Sequence, residues 1–254
     1  MHTVEEKLAK SLTAESIDLI PYLPYLLQDL WQLGSSPNDM IEMLTKHTYV
    51  SKTTRVLDLA CGKGAVSVTL ADTIGCSVKG IDILPEFIDY AINKAHEFGV
   101  EKLCEFIIGD INESVKIEKE YDVVIFGAIG EVLGDPEQTI TFLKNTVKKG
   151  GYILLDDAYS HEETDGKYQT REQWIHVFNN TGVKLIAEKI MDEEELTSIN
   201  NEQQELIIRR AEELKTALPE RAQLFDGYIH SQQEECEELK SDVSGVTMLL
   251  QVIN

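Results

Sequence analysis

The chain is poor in basic residues. Lys and Arg number 23 against 45 Asp and Glu in 254 residues, a formal net charge of −22. Proteins bind phosphate backbones by clustering Lys and Arg and releasing counterions, so a surface this acidic predicts no nucleic-acid partner. The cysteines, Cys61, Cys76, Cys104 and Cys236, make no C-x-x-C pair and stand at no His spacing suited to zinc. They read as reduced structural thiols, and no metal site is expected. No apolar run reaches the ~20 residues of a membrane helix, which predicts no membrane partner. The opening MHTVEEKLAKSLTAESIDLI lacks the basic head and apolar core of a secretion signal, so a cytoplasmic location is expected. The 43% apolar content is enough to bury a full core in one α/β chain of this length.

The stretch RVLDLACGKGAVSVTLADTIGCSVKGID, Arg55 to Asp82, carries the strongest signal. Arg55 to Ala60 is a short β-prone apolar run, Cys61 to Gly64 can turn tightly, and Ala65 to Ile74 has helical apolar spacing. Val78 to Asp82 then reads as a second strand ending on an acid. Ligands of open α/β sheets sit beyond the carboxyl ends of the strands, where an acid about 20 residues past a glycine loop accepts hydrogen bonds from ribose hydroxyls. Asp82 fits that place. A dinucleotide loop needs G-x-G-x-x-G, but Gly62-Lys63-Gly64 is followed by Ala65, Val66 and Ser67 and the third glycine is missing. Asp58 before the turn would oppose a pyrophosphate and favour an ammonium and a sulfonium. Both observations point to S-adenosylmethionine.

At these residues the chain resembles the class I S-adenosylmethionine-dependent methyltransferases, whose first motif is an acid followed by x-G-x-G-x-G. Here it reads Asp58-Leu59-Ala60-Cys61-Gly62-Lys63-Gly64, with Ala60 in place of the first glycine. The resemblance continues through Gly80-Ile81-Asp82-Ile83, Ile108-Gly109-Asp110-Ile111, Tyr121 to Phe126 and Val147 to Leu154, covering roughly residues 55 to 158. It implies an α/β, Rossmann-like seven-stranded sheet with strand 7 antiparallel, flanked by helices. The cofactor residues it implies are Asp58, Ala60, Cys61, Gly62, Gly64, Asp82, Ile83, Asp110, Ile111 and Gly127. Of these, Asp82 would meet the ribose, Asp110 the adenine amino group, Ile111 would offer backbone contact and Ile83 would pack on the ring.

Further along, the pattern predicts a helix over Pro85 to Phe98 ended by Gly99, a strand over Cys104 to Asp110, and a truncated helix before the fourth strand. Asp135-Pro136-Glu137-Gln138 is a helix start with a capping acid, and Gly150 should close that helix. Later elements follow over Gly151 to Ala158, Arg171 to Asn180, Lys184 to Met191 and Val246 to Ile253. Residues 51–191 and 243–254 thus form the cofactor-binding domain. Residues 1–50 read as a helical cap carrying Tyr22, Tyr25, Trp31 and Tyr49, with the first three as lid or substrate candidates. Residues 192–242 read as a helical insertion, broken at Pro219, whose stripe of Leu196, Ile199, Leu206, Ile207, Leu214 and Leu218 must pack on something.

Methyl transfer is an in-line displacement with a neutral thioether leaving, so alignment matters more than any covalent residue. A general base is needed only for a protonated acceptor. Candidates are Glu131, Asp156, Asp157 and His161, and since Asp156 and Asp157 alternate faces of one strand, at most one faces the pocket. Gly127-Ala128-Ile129-Gly130 lacks the N-P-P-Y type sequence of DNA amino-methyltransferases. The expected activity is methyl transfer to a small-molecule acceptor. A non-catalytic S-adenosylmethionine-binding partner subunit, aminopropyl transfer on the same fold, and a nicotinamide oxidoreductase are the alternatives.

Overall fold

The computed structural model describes residues 3–162 and 168–253. Its centre is a seven-stranded sheet in the order β3-β2-β1-β4-β5-β7-β6. The strands are β1 (Arg55–Leu59), β2 (Ser77–Asp82), β3 (Cys104–Ile108), β4 (Tyr121–Gly127), β5 (Val147–Ser160), β6 (Val183–Ile190) and β7 (Val243–Val252). Every pairing is parallel except those of β7, which runs antiparallel to both β5 and β6. The near-continuous apolar composition of β1 and β4 follows from burial on both sides by helices.

One face is covered by α3 (Pro37–His47), α4 (Ala65–Ile74) and α5 (Pro85–Glu97), which bury Met40, Leu44, Leu70, Ala71 and Ala95 against Val56, Ile125 and Leu154. The other carries α6 (Ile111–Ile117), α7 (Pro136–Thr146) and α8 (Arg171–Thr181), with Val115, Ile140, Leu143, Trp174 and Phe178 on Leu57, Phe126 and Ile153. α6 is the short crossover helix that the sequence spacing allows. The capping box at Asp135 forms with Gln138 as expected, but α7 ends at Thr146, before Gly150. Thr146 is fully buried and turns its hydroxyl onto the Leu143 carbonyl, and Val147 is already extended and pairs with Tyr121. Gly150, at φ +78°, therefore sits in the irregular start of β5 and caps no helix.

Outside the sheet layers lie α1 (Val4–Ser11), a 3-10 turn at Ile17–Tyr22, α2 (Leu23–Leu26), α9 (Glu193–Ala217) and α10 (Ala222–Ser241). Pro219 does separate the last two helices, within a 3-10 turn at Pro219–Arg221. These segments share a third apolar cluster, in which Leu19, Leu23 and Leu26 meet Ile207, Ala211, Phe225 and Tyr228, with Leu84 and Phe87 of the sheet domain at its base. Leu206, Leu214 and Leu218 of the insertion's stripe pack against the same cluster. α3 belongs to the sheet layer, although it falls within the 1–50 segment. The four aromatic residues of that segment do not gather. Tyr49 is fully exposed, and Tyr22 stands edge-on to Phe225 at 5.1 Å.

Candidate active site

A cleft spanning about 990 Å³ of empty space, part of it open solvent, lies beyond the carboxyl ends of β1 to β4. Its floor is the turn between β1 and α4. Asp58, at the end of β1, is buried and accepts a hydrogen bond from the Ser67 hydroxyl at 2.6 Å. Burial, opposed by that bond and assisted by the charge of Asp82, raises its pKa to about 7. The chain then runs through left-handed conformations at Ala60 (φ +57°), Gly62 (φ +53°) and Gly64 (φ +73°). A Cβ at Gly64 would lie 2.7 Å from that of Ala91, so α5 packs where only glycine fits. Ala60 bears the cost that a glycine would avoid, and Ala128, also lining the cleft, has φ +52°.

Asp82 secures this turn. One carboxylate oxygen accepts from the Gly62 N–H at 2.9 Å and the other from the Leu84 N–H at 3.0 Å. It thus holds the glycine turn and the entry to α5 together, with a lone pair on each oxygen to spare. Burial raises its pKa despite these bonds. Asp110 caps α6, accepting from the Asn112 backbone at 2.8 Å and side chain at 2.9 Å. Ile83, Ile111, Cys61 and Gly127 complete the lining expected from sequence, while Gly64 lies just behind it. Burial and the neighbouring carboxylates push the Cys61 thiol well up, so it is no nucleophile.

Two buried carboxylates with raised pKa values are short of positive charge and donors. A nucleoside hydroxyl pair at Asp82 and a cationic tail near Asp58 would supply both, so the donor set fits S-adenosylmethionine. A pyrophosphate would add negative charge to a floor already carrying two acids.

The other candidates divide. Trp31 lines the cleft, and its indole N–H donates to the Lys63 carbonyl at 3.1 Å. Tyr22 and Tyr25 do not line it. Tyr22 packs on Phe225, and Tyr25 donates to Glu213 at 2.5 Å on the outer face of the cap, because docking α9 and α10 takes up their rings. Glu131 is exposed in the 3-10 turn Gly130–Leu133 and pairs with Lys10 at 3.5 Å. Asp157 and His161 lie off the cleft wall, His161 bonding Ser244 at 2.9 Å. Among the described residues no cluster of His, Cys, Asp or Glu could hold a metal, and no helix is long and apolar enough to cross a membrane.

Sequence reasoning missed three features. Lys63 of the glycine turn is only 3% exposed, and its ammonium donates to the Leu27 carbonyl and, at 2.7 Å, to that of Leu30. It also stands 4.8 Å over the Tyr90 ring. Lys7 reaches from α1 across the cleft to Asn112 Oδ1 at 3.0 Å and the Val132 carbonyl at 2.8 Å, roofing it together with Leu8 and Leu12. Ser35, in the loop before α3, is part of the wall. A lysine between two glycines, and a lysine and a serine in polar segments, give no local signal of burial.

A family profile described as a methyltransferase domain matches residues 50–247. The chain belongs to the methyltransferase-domain family. Its sheet, with strand 7 antiparallel, is the class I methyltransferase fold expected from the motifs. The structure is similar to that of a SAM-dependent methyltransferase from Thiobacillus denitrificans in complex with S-adenosyl-L-homocysteine, at TM-score 0.75 and 20% identity, covering 91% of this chain and 98% of that one. Among curated methyltransferases, a ubiquinone biosynthesis O-methyltransferase of Paraburkholderia phymatum is 33% identical over 101 residues, 40% of this chain and 43% of the relative. A ribosomal protein L11 methyltransferase of Campylobacter concisus is 29% identical over 128 residues, 50% of this chain and 43% of the relative. The chain spans less than half the length of these two relatives.

Proposed function

We propose that this methyltransferase-domain protein binds S-adenosylmethionine in the cleft and transfers its methyl group to a small molecule. The observation that carries this reading is the convergence on one cleft of Asp58, the Gly62 turn, Asp82 and Asp110 with Ile111. Asp82 would hold the ribose hydroxyls, Asp110 and Ile111 the adenine edge with Ile83 on its face, and Asp58 with the glycine turn the methionyl end. The bound cofactor supplies a methyl group activated by a positive sulfur. The chain's own part is alignment and exclusion of water, through Trp31, Leu33 and the side chains that α1 lays over the opening.

A small acceptor is supported by closure of the cleft. α1 is fastened across it by Lys7, which leaves a macromolecular side chain a poorer route than a free metabolite. The net charge of −22 argues in the same direction against nucleic acid. The ubiquinone-pathway relative agrees with a small acceptor, and the L11 relative makes a protein acceptor the arm to test against it.

The test is calorimetry followed by product analysis. S-adenosylmethionine and S-adenosylhomocysteine should bind and NAD should not. A metabolite panel, run beside purified ribosomal protein L11, should release S-adenosylhomocysteine only with a metabolite. Tight NAD binding with no response to either sulfur nucleoside would sink the reading. Binding without turnover in every arm would make the protein a cofactor-binding subunit.

A further inference from the structure

Two buried polar atoms near the cleft, Ser35 Oγ and Asp156 Oδ1, have no hydrogen-bond partner in good geometry among the described residues. Buried polar groups in native proteins are nearly always paired, and the Ser35 hydroxyl beside the Asp156 carboxyl meets part of that need, leaving the oxygen of Ser35, which lines the cleft, able to accept a further bond. Sheet register explains how they meet. Gly127 of β4 and Asp156 of β5 are in-register neighbours on parallel strands, so both project to the same face. Gly127 has no side chain to project, and Ser35 occupies the space. A Cβ on Gly127 would lie 2.2 Å from Ser35 Oγ. Ser35 and Gly127 both line the cleft, and the hydroxyls of Ser35 and Thr247 stand beside the Asp156 carboxyl. The order outward from the cleft is therefore Ser35, then Asp156.

We infer that Ser35 and Asp156 form the polar end of the acceptor site, and that the acceptor is methylated at an oxygen or nitrogen bearing a hydrogen. This rests on the cofactor reading above. Ser35 meets the acceptor, and Asp156 acts through it as a positioning residue and proton sink. As the acceptor's lone pair forms its bond to the methyl carbon, the carbon–sulfur bond breaks and its electron pair stays on sulfur. The acceptor's proton passes to Ser35 Oγ while the Ser35 proton passes to Asp156. The charges balance: a sulfonium and a carboxylate become a thioether and a carboxylic acid, which then loses its proton to solvent.

The surroundings suit that role. Burial raises the Asp156 pKa to about 6, against the Ser35 and Thr247 hydroxyls and with help from Asp39 of α3. Asp39 is itself held by Lys189 of β6, which also pairs with Glu42, both at 2.7 Å. Asp58 at the end of β1 and Asp82 at the end of β2 lie on the same face of the sheet at the cleft, and Lys63 lines the cleft as well. The carboxyl is thus ionised at neutral pH yet basic enough to take a proton.

A crystal structure with S-adenosylhomocysteine tests the geometry without knowledge of the acceptor. A water, or an ethanolamine or catechol probe soaked in, should bond to Ser35 Oγ from the cleft side with Asp156 behind. A Ser35 hydroxyl turned away and an Asp156 sealed from the cleft would overturn the inference. With whichever acceptor the metabolite panel yields, Asp156→Asn and Ser35→Ala should each lower kcat by about 100-fold. They should erase a pH limb near 6 and leave S-adenosylhomocysteine affinity within about twofold. Asp156→Glu should restore part of the turnover. Wild-type turnover with the limb intact in Asp156→Asn, or weakened S-adenosylhomocysteine binding that accounts for the loss, overturns the assignment. Failure of the wild-type protein to bind S-adenosylhomocysteine overturns the cofactor reading instead.

Discussion

Replacing Lys63 by Met should change how stability depends on pH, in a direction opposite to that of an ordinary surface lysine. The ammonium is buried against Phe87 and Tyr90 and satisfied by the carbonyls of Leu27 and Leu30, with no carboxylate in contact among the described residues. Burial lowers its pKa from 10.5 to about 8, with Asp29 opposing weakly. Between these values the unfolded chain holds a proton that the folded chain has released, so folding becomes more favourable as pH rises through that window. The drop is worth about 3 kcal/mol at ~1.4 kcal/mol per unit, and about 2 kcal/mol of it is recovered between pH 7 and 9.5. Methionine keeps the stem's packing but neither donates nor titrates.

Urea unfolding of both proteins at pH 7, 8 and 9.5 checks this, because taking the difference removes the tyrosines and cysteines that titrate in both. The wild type should gain about 2 kcal/mol on the variant over that range. At pH 7 the variant loses two charge-assisted hydrogen bonds of about 1.5–3 kcal/mol each and escapes the cost of burying the charge, so the net change there is small. Parallel stability curves would refute the reasoning, since they would mean that Lys63 is either solvated or uncharged throughout. Lys63 also joins the cofactor turn to the cap, so the variant should bind S-adenosylhomocysteine more weakly.

Asp82→Ala removes the acceptor of the Gly62 and Leu84 N–H groups as well as the proposed ribose contact. S-adenosylhomocysteine affinity should fall about 10- to 100-fold by calorimetry, from 1.5–3 kcal/mol per lost charged bond, and an unchanged Kd would reduce Asp82 to a turn-former. Ala60→Gly relieves the φ of +57° and should stabilise the protein by about 0.5–1 kcal/mol in urea, where a loss would show that the Ala60 methyl has a packing role. Lys7→Met breaks the bonds to Asn112 and Val132 and should speed S-adenosylhomocysteine release several-fold, about 1 kcal/mol, with faster amide exchange in α1. Equal release rates would mean that α1 does not gate the cleft. Gel shifts with tRNA and duplex DNA at physiological salt should show no complex.

The parts of the fold that rest on local chemistry were legible. Ala65–Ile74 is bounded by Gly64 and Gly75, both at positive φ, and the Asp135 capping box forms as written. The end of α7 was not legible, because the buried Thr146 and the early pairing of Val147 override the glycine three residues on. The floor of the site was legible because Asp58, Gly62 and Asp82 lie within one β-α-β unit and their roles are set by its geometry. The roof and the acceptor wall were not. Lys63 is buried by carbonyls 36 and 33 residues earlier in the chain, and Ser35 meets Asp156 only because Gly127 leaves a gap between them. Such pairings depend on how segments cross, which no periodicity records.

The cap shows the same dependence and sets how it can be tested. Deleting residues 1–50 would take away α3, whose Met40 and Leu44 are fully buried on the sheet, along with the cap. It would also uncover Ile207, Ala211, Phe225 and Tyr228, which the N-terminal segment buries, and each large side chain so exposed costs about 1.5–3 kcal/mol. Lost turnover in that truncation would report a damaged fold as readily as an open acceptor site. The polar pins between the two halves can be cut singly instead. Asp29 takes Arg209 and Arg210 at 2.7 Å, and the Ser231 hydroxyl donates to the Thr13 carbonyl at 2.8 Å. If α9 and α10 serve catalysis by holding the N-terminal segment over the cleft, Asp29→Asn with Ser231→Ala should raise KM for the acceptor while the sheet's core amides keep their protection. Unchanged KM with a loosened cap would leave the insertion a purely structural brace.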